Sequence, residues 1–187
     1  MQDDLHPFRS PTAKRSYLAF YDELSRRWPE DSETRMVETS YGQTFVRVQG
    51  PTDGPPLVLL PGDAENSLAW TRVIDSLSAR YRTYALDHIH DNGRSIYRHR
   101  FRKPAEFVSW LDELFDELRL DRLNLVAHSY GAWQASLYAL AHPARLRRMV
   151  LLAPPGTVLR PSPGLLARAM LYYFLPFRAV TKRYLYW

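Results

Sequence analysis

The chain has 187 residues, 45% of them hydrophobic, with a formal net charge of +5 and no cysteine. This length and apolar content predict one domain with a sizeable core, and the missing thiols exclude a disulfide framework and a thiolate metal site. The start, Met1 to Pro7, lacks the basic residues and apolar core of a secretory signal. The longest strongly apolar tract, Gly164 to Phe177, is too short at about 14 residues to span a bilayer, so a cytoplasmic protein without a transmembrane segment is expected.

The charge is unevenly spread. Residues 1–128 carry a net −3, whereas residues 129–187 carry +8 and contain neither Asp nor Glu. A basic arm for nucleic acid or a membrane surface is one reading of such asymmetry. The preferred one is a chain that lacks an acidic part, with no nucleic-acid partner.

Tyr17, Leu18, Tyr21, Leu24 and Trp28 recur at helical spacing and predict a helix over 12–28, ended by Pro29. Two alternating segments, Met36–Ser40 and Thr44–Gln49, joined at Tyr41-Gly42, predict a hairpin. After a Pro/Gly turn, Leu57 to Leu60 is uninterrupted apolar, the pattern of a strand buried on both faces. A helix is expected over 68–81 and an inner strand over Arg82–Leu86. Phe107, Trp110, Leu111, Leu114, Phe115 and Leu118 mark the clearest amphipathic helix, with Pro104 at its start. Strands follow at Leu123–Ala127 and Met149–Ala153, separated by a helix over Ala132–Ala141, and two aromatic, basic helical stretches close the chain at 163–175 and 177–187. The alternation after residue 57 predicts an α/β fold with a mixed, mostly parallel sheet of six strands and helices on both faces.

One short motif carries chemistry. Ala127-His128-Ser129-Tyr130-Gly131 lies between an apolar strand and a helix, which is the strand–small-X-Ser-X-Gly–helix arrangement of a nucleophile elbow. Three further segments accompany it in order: Leu59-Leu60-Pro61-Gly62-Asp63, Asp87 to Ser95, and His142-Pro143 followed by Leu146 to Pro154. With these four motifs, residues 36–155 resemble the α/β-hydrolase superfamily, in its carboxylesterase-like branch. The resemblance implies Ser129 as nucleophile, the backbone N–H groups of Tyr130 and Asp63 as oxyanion donors, and Gly62, Ala64, His88 and His128 as candidates to line the pocket. It implies no metal and no organic cofactor. Pro61 stands where the family usually has His, and Ala127 where it usually has Gly.

A serine of this kind needs a histidine to take its proton and a carboxylate to orient that histidine, and in this fold both follow the serine in the chain. After Ser129 there is no acid and only one histidine, His142, roughly 20 Å away along a helix rising about 1.5 Å per residue. No catalytic acid or His is therefore assigned. The expected organisation is a helical lead-in over 1–35, an incomplete hydrolase core over 36–156, and the start of a helical cap over 157–187. The sheet is expected to be truncated after its sixth strand. The implied substrate is a small ester-type molecule, and the apolar last strand implies self-association or a completing partner chain. A non-catalytic hydrolase-like binding module remains the alternative.

Overall fold

The computed structural model describes residues 7–157, 162–175, 177 and 179. It divides into two compact units, Met1–Pro154 and Pro155–Trp187.

In the first unit, α1 (Pro11–Ser25) begins where Ser10 accepts the Ala13 N–H at 3.1 Å, with proline in its first turn. It stops at Ser25, short of the expected Trp28. The chain from Arg26 tightens into turns, with Arg27 N–H on Leu24 O and Trp28 N–H on Ser25 O. Trp28 is buried nonetheless. The antiparallel pair β1 (Glu33–Thr39) and β2 (Gly42–Gln49) forms the predicted hairpin.

The remaining strands are β3 (Pro56–Leu60), β4 (Arg82–Leu86), β5 (Ile96–Tyr97), β6 (Leu123–His128) and β7 (Leu146–Leu152). They build one seven-stranded sheet in the order β1-β2-β4-β3-β6-β7, with β5 on β2. β4, β3, β6 and β7 run parallel to one another, and β1, β2 and β5 supply the antiparallel part, with β2 pairing β4 antiparallel. The mixed, mostly parallel sheet is as the sequence predicts, with one strand more. β5 is only two residues long, too short for alternation to register. β7 starts three residues earlier than expected and ends at Leu152, because Ala153 turns into left-handed backbone at φ +48°.

Strand β3 shows why continuous apolar sequence is needed at the centre. Val58 and Leu60 enter one core with Val46, Leu86, Trp110, Leu111, Leu114 and Tyr138, while Leu57 and Leu59 enter another with Trp28, Trp70, Ile74 and Ala85. Alternate side chains of a strand leave on opposite faces, so both faces must be apolar when helices cover both. The first core lies under α3 (Pro104–Glu117) and α4 (Ser129–Ala141); the second lies under α2 (Ile74–Ser78) and a 3₁₀ turn at Ser67–Trp70. The single helix expected over 68–81 is thus two short pieces. Asn66 accepts the Leu68 N–H to start the first, and β-branched Val73, at φ −121°, separates it from the second.

The second unit contains α5 (Pro163–Phe174), capped by Ser162, whose hydroxyl accepts the Leu165 N–H at 3.2 Å. The helix expected over 177–187 lies almost wholly outside the described residues. Among the described residues, no helix is long and apolar enough to cross a membrane.

Candidate active site

Neighbouring parallel strands deliver their C-terminal ends to the same edge, where sites gather in open α/β sheets. β3 and β6 pair with Leu60 opposite Ala127, so the loop from Pro61 to Glu65 emerges beside His128 and Ser129. Ser129, half-buried, opens α4 with φ +48°. That left-handed backbone is rare for a residue with a Cβ and suits an elbow, where the chain turns sharply from strand to helix.

Gly131 explains the small residue two positions on. A Cβ there would fall inside 3.0 Å of the Pro61 carbonyl oxygen, 3.0 Å from Leu60 O and 3.1 Å from Leu60 Cβ. The helix can approach the end of β3 only without a side chain. Gly62 has the same role on the loop: a Cβ there would lie 2.8 Å from Glu65 Oε2, 3.0 Å from His128 Nδ1 and 3.2 Å from Ser129 Cβ.

Two carboxylates bind the flanks of this loop. Gly62 N–H donates to Glu65 Oε2 at 2.7 Å, and Ala64 N–H donates to Asp91 Oδ2 at 2.7 Å. Ala64, with φ +57°, is a second left-handed residue. Asp63 between them is exposed. Burial holds the Asp91 carboxyl above its usual range, opposed by the N–H groups of Asn92 and Ala64 and reinforced by the charges of Asp63 and Glu65. Neither Glu65 nor Asp91 has a sequence signal of its own beyond lying on these loops.

His128 lies at the rim, with Nδ1 2.9 Å from Glu65 Oε2. His88 sits behind the site: it is 4% exposed and packs its ring against Trp110, Phe107 and Tyr130. Burial first, then the nearby His90, lower its pKa to about 3, so it is neutral. Its Nδ1 accepts the His90 N–H at 3.2 Å, and its Nε2 lies 2.7 Å from the amide of buried Gln134. Burial raises the pKa of the neighbouring Tyr130 hydroxyl, and a hydrogen bond with the Gln134 side chain opposes that rise. The Gln134 side chain and the stacked Trp133 ring, 5.5 Å away, hold Tyr130 immediately after Ser129. The signal for Gln134 is the one amide side chain in a mostly apolar helix.

His90 and His142 face elsewhere. His90 Nε2 lies 3.1 Å from His99 O, with its ring against Phe101. His142, at the far end of α4, stacks on Tyr138 and lies 3.6 Å from Asp112. Asp87 also turns inward. It accepts from Ser67 Oγ at 2.6 Å, Ser67 N–H at 2.9 Å, the Tyr21 hydroxyl and Arg94 N–H at 2.8 Å, while Ser95 Oγ donates to its carbonyl oxygen. The Asp87–Ser95 motif thus closes its own loop and anchors α1. Among the described residues, no group of three or more His, Asp or Glu could hold a metal ion.

The sequence profile of the α/β-hydrolase fold matches residues 55–183. Carboxylesterase YbfK of Bacillus subtilis (strain 168) is 34% identical over 154 residues, which are 82% of this chain and 52% of that protein. A second carboxylesterase of that strain, nap, still uncharacterized, is 34% identical over 143 residues, 76% of this chain and 48% of its own length. The chain therefore spans about half the length of these curated relatives. Among solved structures, naproxen esterase from Bacillus subtilis superposes with a TM-score of 0.87 at 30% identity, covering 97% of this chain and 62% of that one. The carboxylesterase CesB (YbfK) superposes with a TM-score of 0.80 at 31% identity, covering 84% and 55%. Motifs, sheet order and relatives agree: this chain belongs to the α/β-hydrolase superfamily, in its carboxylesterase-like branch.

Proposed function

We propose that the chain carries the nucleophile half of a serine esterase, with Ser129 attacking an ester-type acyl carbon. The observation that carries this reading is the left-handed Ser129 at the junction of β6 and α4, with the Gly62–Ala64 loop packed beside it. Ser129 Oγ bonds to the acyl carbon as its proton passes to a base. The carbonyl oxygen becomes an oxyanion facing the N–H groups of Tyr130 and Asp63, donors fixed before charge develops on it. The tetrahedral species collapses with loss of the alcohol, leaving an acyl-enzyme that water hydrolyses. The Tyr130 donor gains from the start of a helix, where N–H groups point outward. Gly62, Ala64 and His128 edge the site, and His88 supports its aromatic wall.

The acid and histidine of the triad have no candidates after Ser129 in this sequence. They belong, in this reading, to the half of the relatives' length that the chain does not span. Residues 157–187 are read as the beginning of a cap; α5 presents exposed Leu166, Met170 and Phe174. The lack of those two partners is also what favours the second reading, a hydrolase-like module that binds without turnover.

Incubation with a short-chain p-nitrophenyl ester, followed by intact-mass analysis and peptide mapping, separates the two. Slow acylation confined to Ser129, absent from Ser129→Ala, is expected. A folded chain that never acylates at Ser129 moves the binding module ahead.

A further inference from the structure

We propose that Glu65 is a positioning residue that fixes the oxyanion-donor loop against the nucleophile strand. The inference rests on the hydrolase reading above and adds a residue outside the elbow motif.

A backbone N–H stabilises a developing oxyanion only if it is held in place before charge appears. The loop that would hold it is not self-sufficient. Ala64 is left-handed, and such a residue persists only where its surroundings over-determine it. Glu65 supplies that constraint from the loop's own end. Its Oε2 accepts the Gly62 N–H at 2.7 Å, and its backbone N–H donates to Gly62 O at 3.3 Å. The same Oε2 lies 2.9 Å from His128 Nδ1, so one oxygen joins the loop after β3 to the last residue of β6. Gly62 leaves room for this convergence, because its absent side chain would occupy the space between Glu65, His128 and Ser129.

The side chains of His128 and Glu65 are 39% and 35% exposed. Pairs this open contribute little to global stability. The effect of Glu65 therefore falls on the placement of the loop. This also accounts for His128, whose Nδ1 is turned toward the carboxylate.

The test uses the full chain and phenylboronic acid, whose boron bonds to the serine oxygen to form a tetrahedral boronate while the hydroxyl proton leaves to buffer, so at fixed pH the equilibrium needs no side-chain base. Benzamide, trigonal and with the same ring, is the comparison, and both are titrated by NMR. Ser129→Ala is expected to abolish boronate binding. Glu65→Ala is expected to weaken the boronate about tenfold, a fraction of what deleting an oxyanion donor costs, while benzamide stays within about twofold and the melting temperature barely moves. Glu65→Gln keeps an acceptor for the Gly62 N–H and is expected to bind the boronate within about threefold of the parent.

The proposal is overturned if Glu65→Ala binds the boronate like the parent, if both probes weaken together, or if Glu65→Gln is as weak as Glu65→Ala. Loss of boronate in Ser129→Ala with none in Glu65→Ala leaves the hydrolase reading standing and removes this one. A parent that binds no boronate removes both.

Discussion

Replacing Gly131 with alanine probes the contact on which the site is built. The new methyl would sit inside 3.0 Å of the Pro61 carbonyl oxygen and 3.0–3.1 Å from Leu60 O and Cβ. The two nearest of these atoms are backbone oxygens at the end of a strand whose residues 57–60 are buried, so no flexible side chain can swing away. Overpacking of this kind costs about 1–3 kcal/mol. Alanine in place of glycine in a helix returns at most ~1 kcal/mol. A net loss of about 1 kcal/mol is expected, equivalent in a domain of this size to a fall of roughly 2–4 °C in Tm. Relief comes by moving α4 away from β3, which also moves Ser129 away from the Asp63 loop, so boronate affinity falls with stability. Gly164→Ala is the control: nothing lies within 4 Å of its Cβ position in α5, and a Tm unchanged or slightly raised is expected. Thermal melts followed by circular dichroism make the comparison. A Gly131→Ala protein that melts with the parent refutes the close-packing argument for the elbow.

His88 makes stability pH-dependent. Burial lowers its folded-state pKa to about 3, so the unfolded chain takes up a proton that the folded one refuses. The contribution is intact above about pH 6.5 and is lost as pH falls toward 3. Unfolding free energies from urea titrations at pH 8 and pH 5 should differ by ~2 kcal/mol from this group, and an equal difference in His88→Gln would refute the assignment. The exposed apolar residues Val150 and Leu152 on β7, and Leu166, Met170 and Phe174 on α5, predict self-association and binding of a hydrophobic dye. Light scattering that finds a dispersed monomer, with no dye bound, overturns it.

What the sequence determined by itself follows from periodicity and from glycine. The uninterrupted apolar run at Leu57–Leu60 required a strand covered on both faces, and the spacing of Trp110, Leu111, Leu114 and Phe115 required a helix with one buried side. The elbow was legible because its chemistry is local: Ser129 and the glycine that permits its turn lie two residues apart. Contacts between distant segments were not legible. Pairing of β3 with β6 set Glu65 against His128, 63 residues later in the chain. Asp91 reached back to Ala64 across 27 residues, and Gln134 came to lie between His88 and Tyr130. Each of these depends on strand order and register, which arise when the whole core packs. A residue's own neighbours in sequence carry no trace of which strand will lie beside it, so the elbow could be read from the chain and the shell that positions it only from the fold.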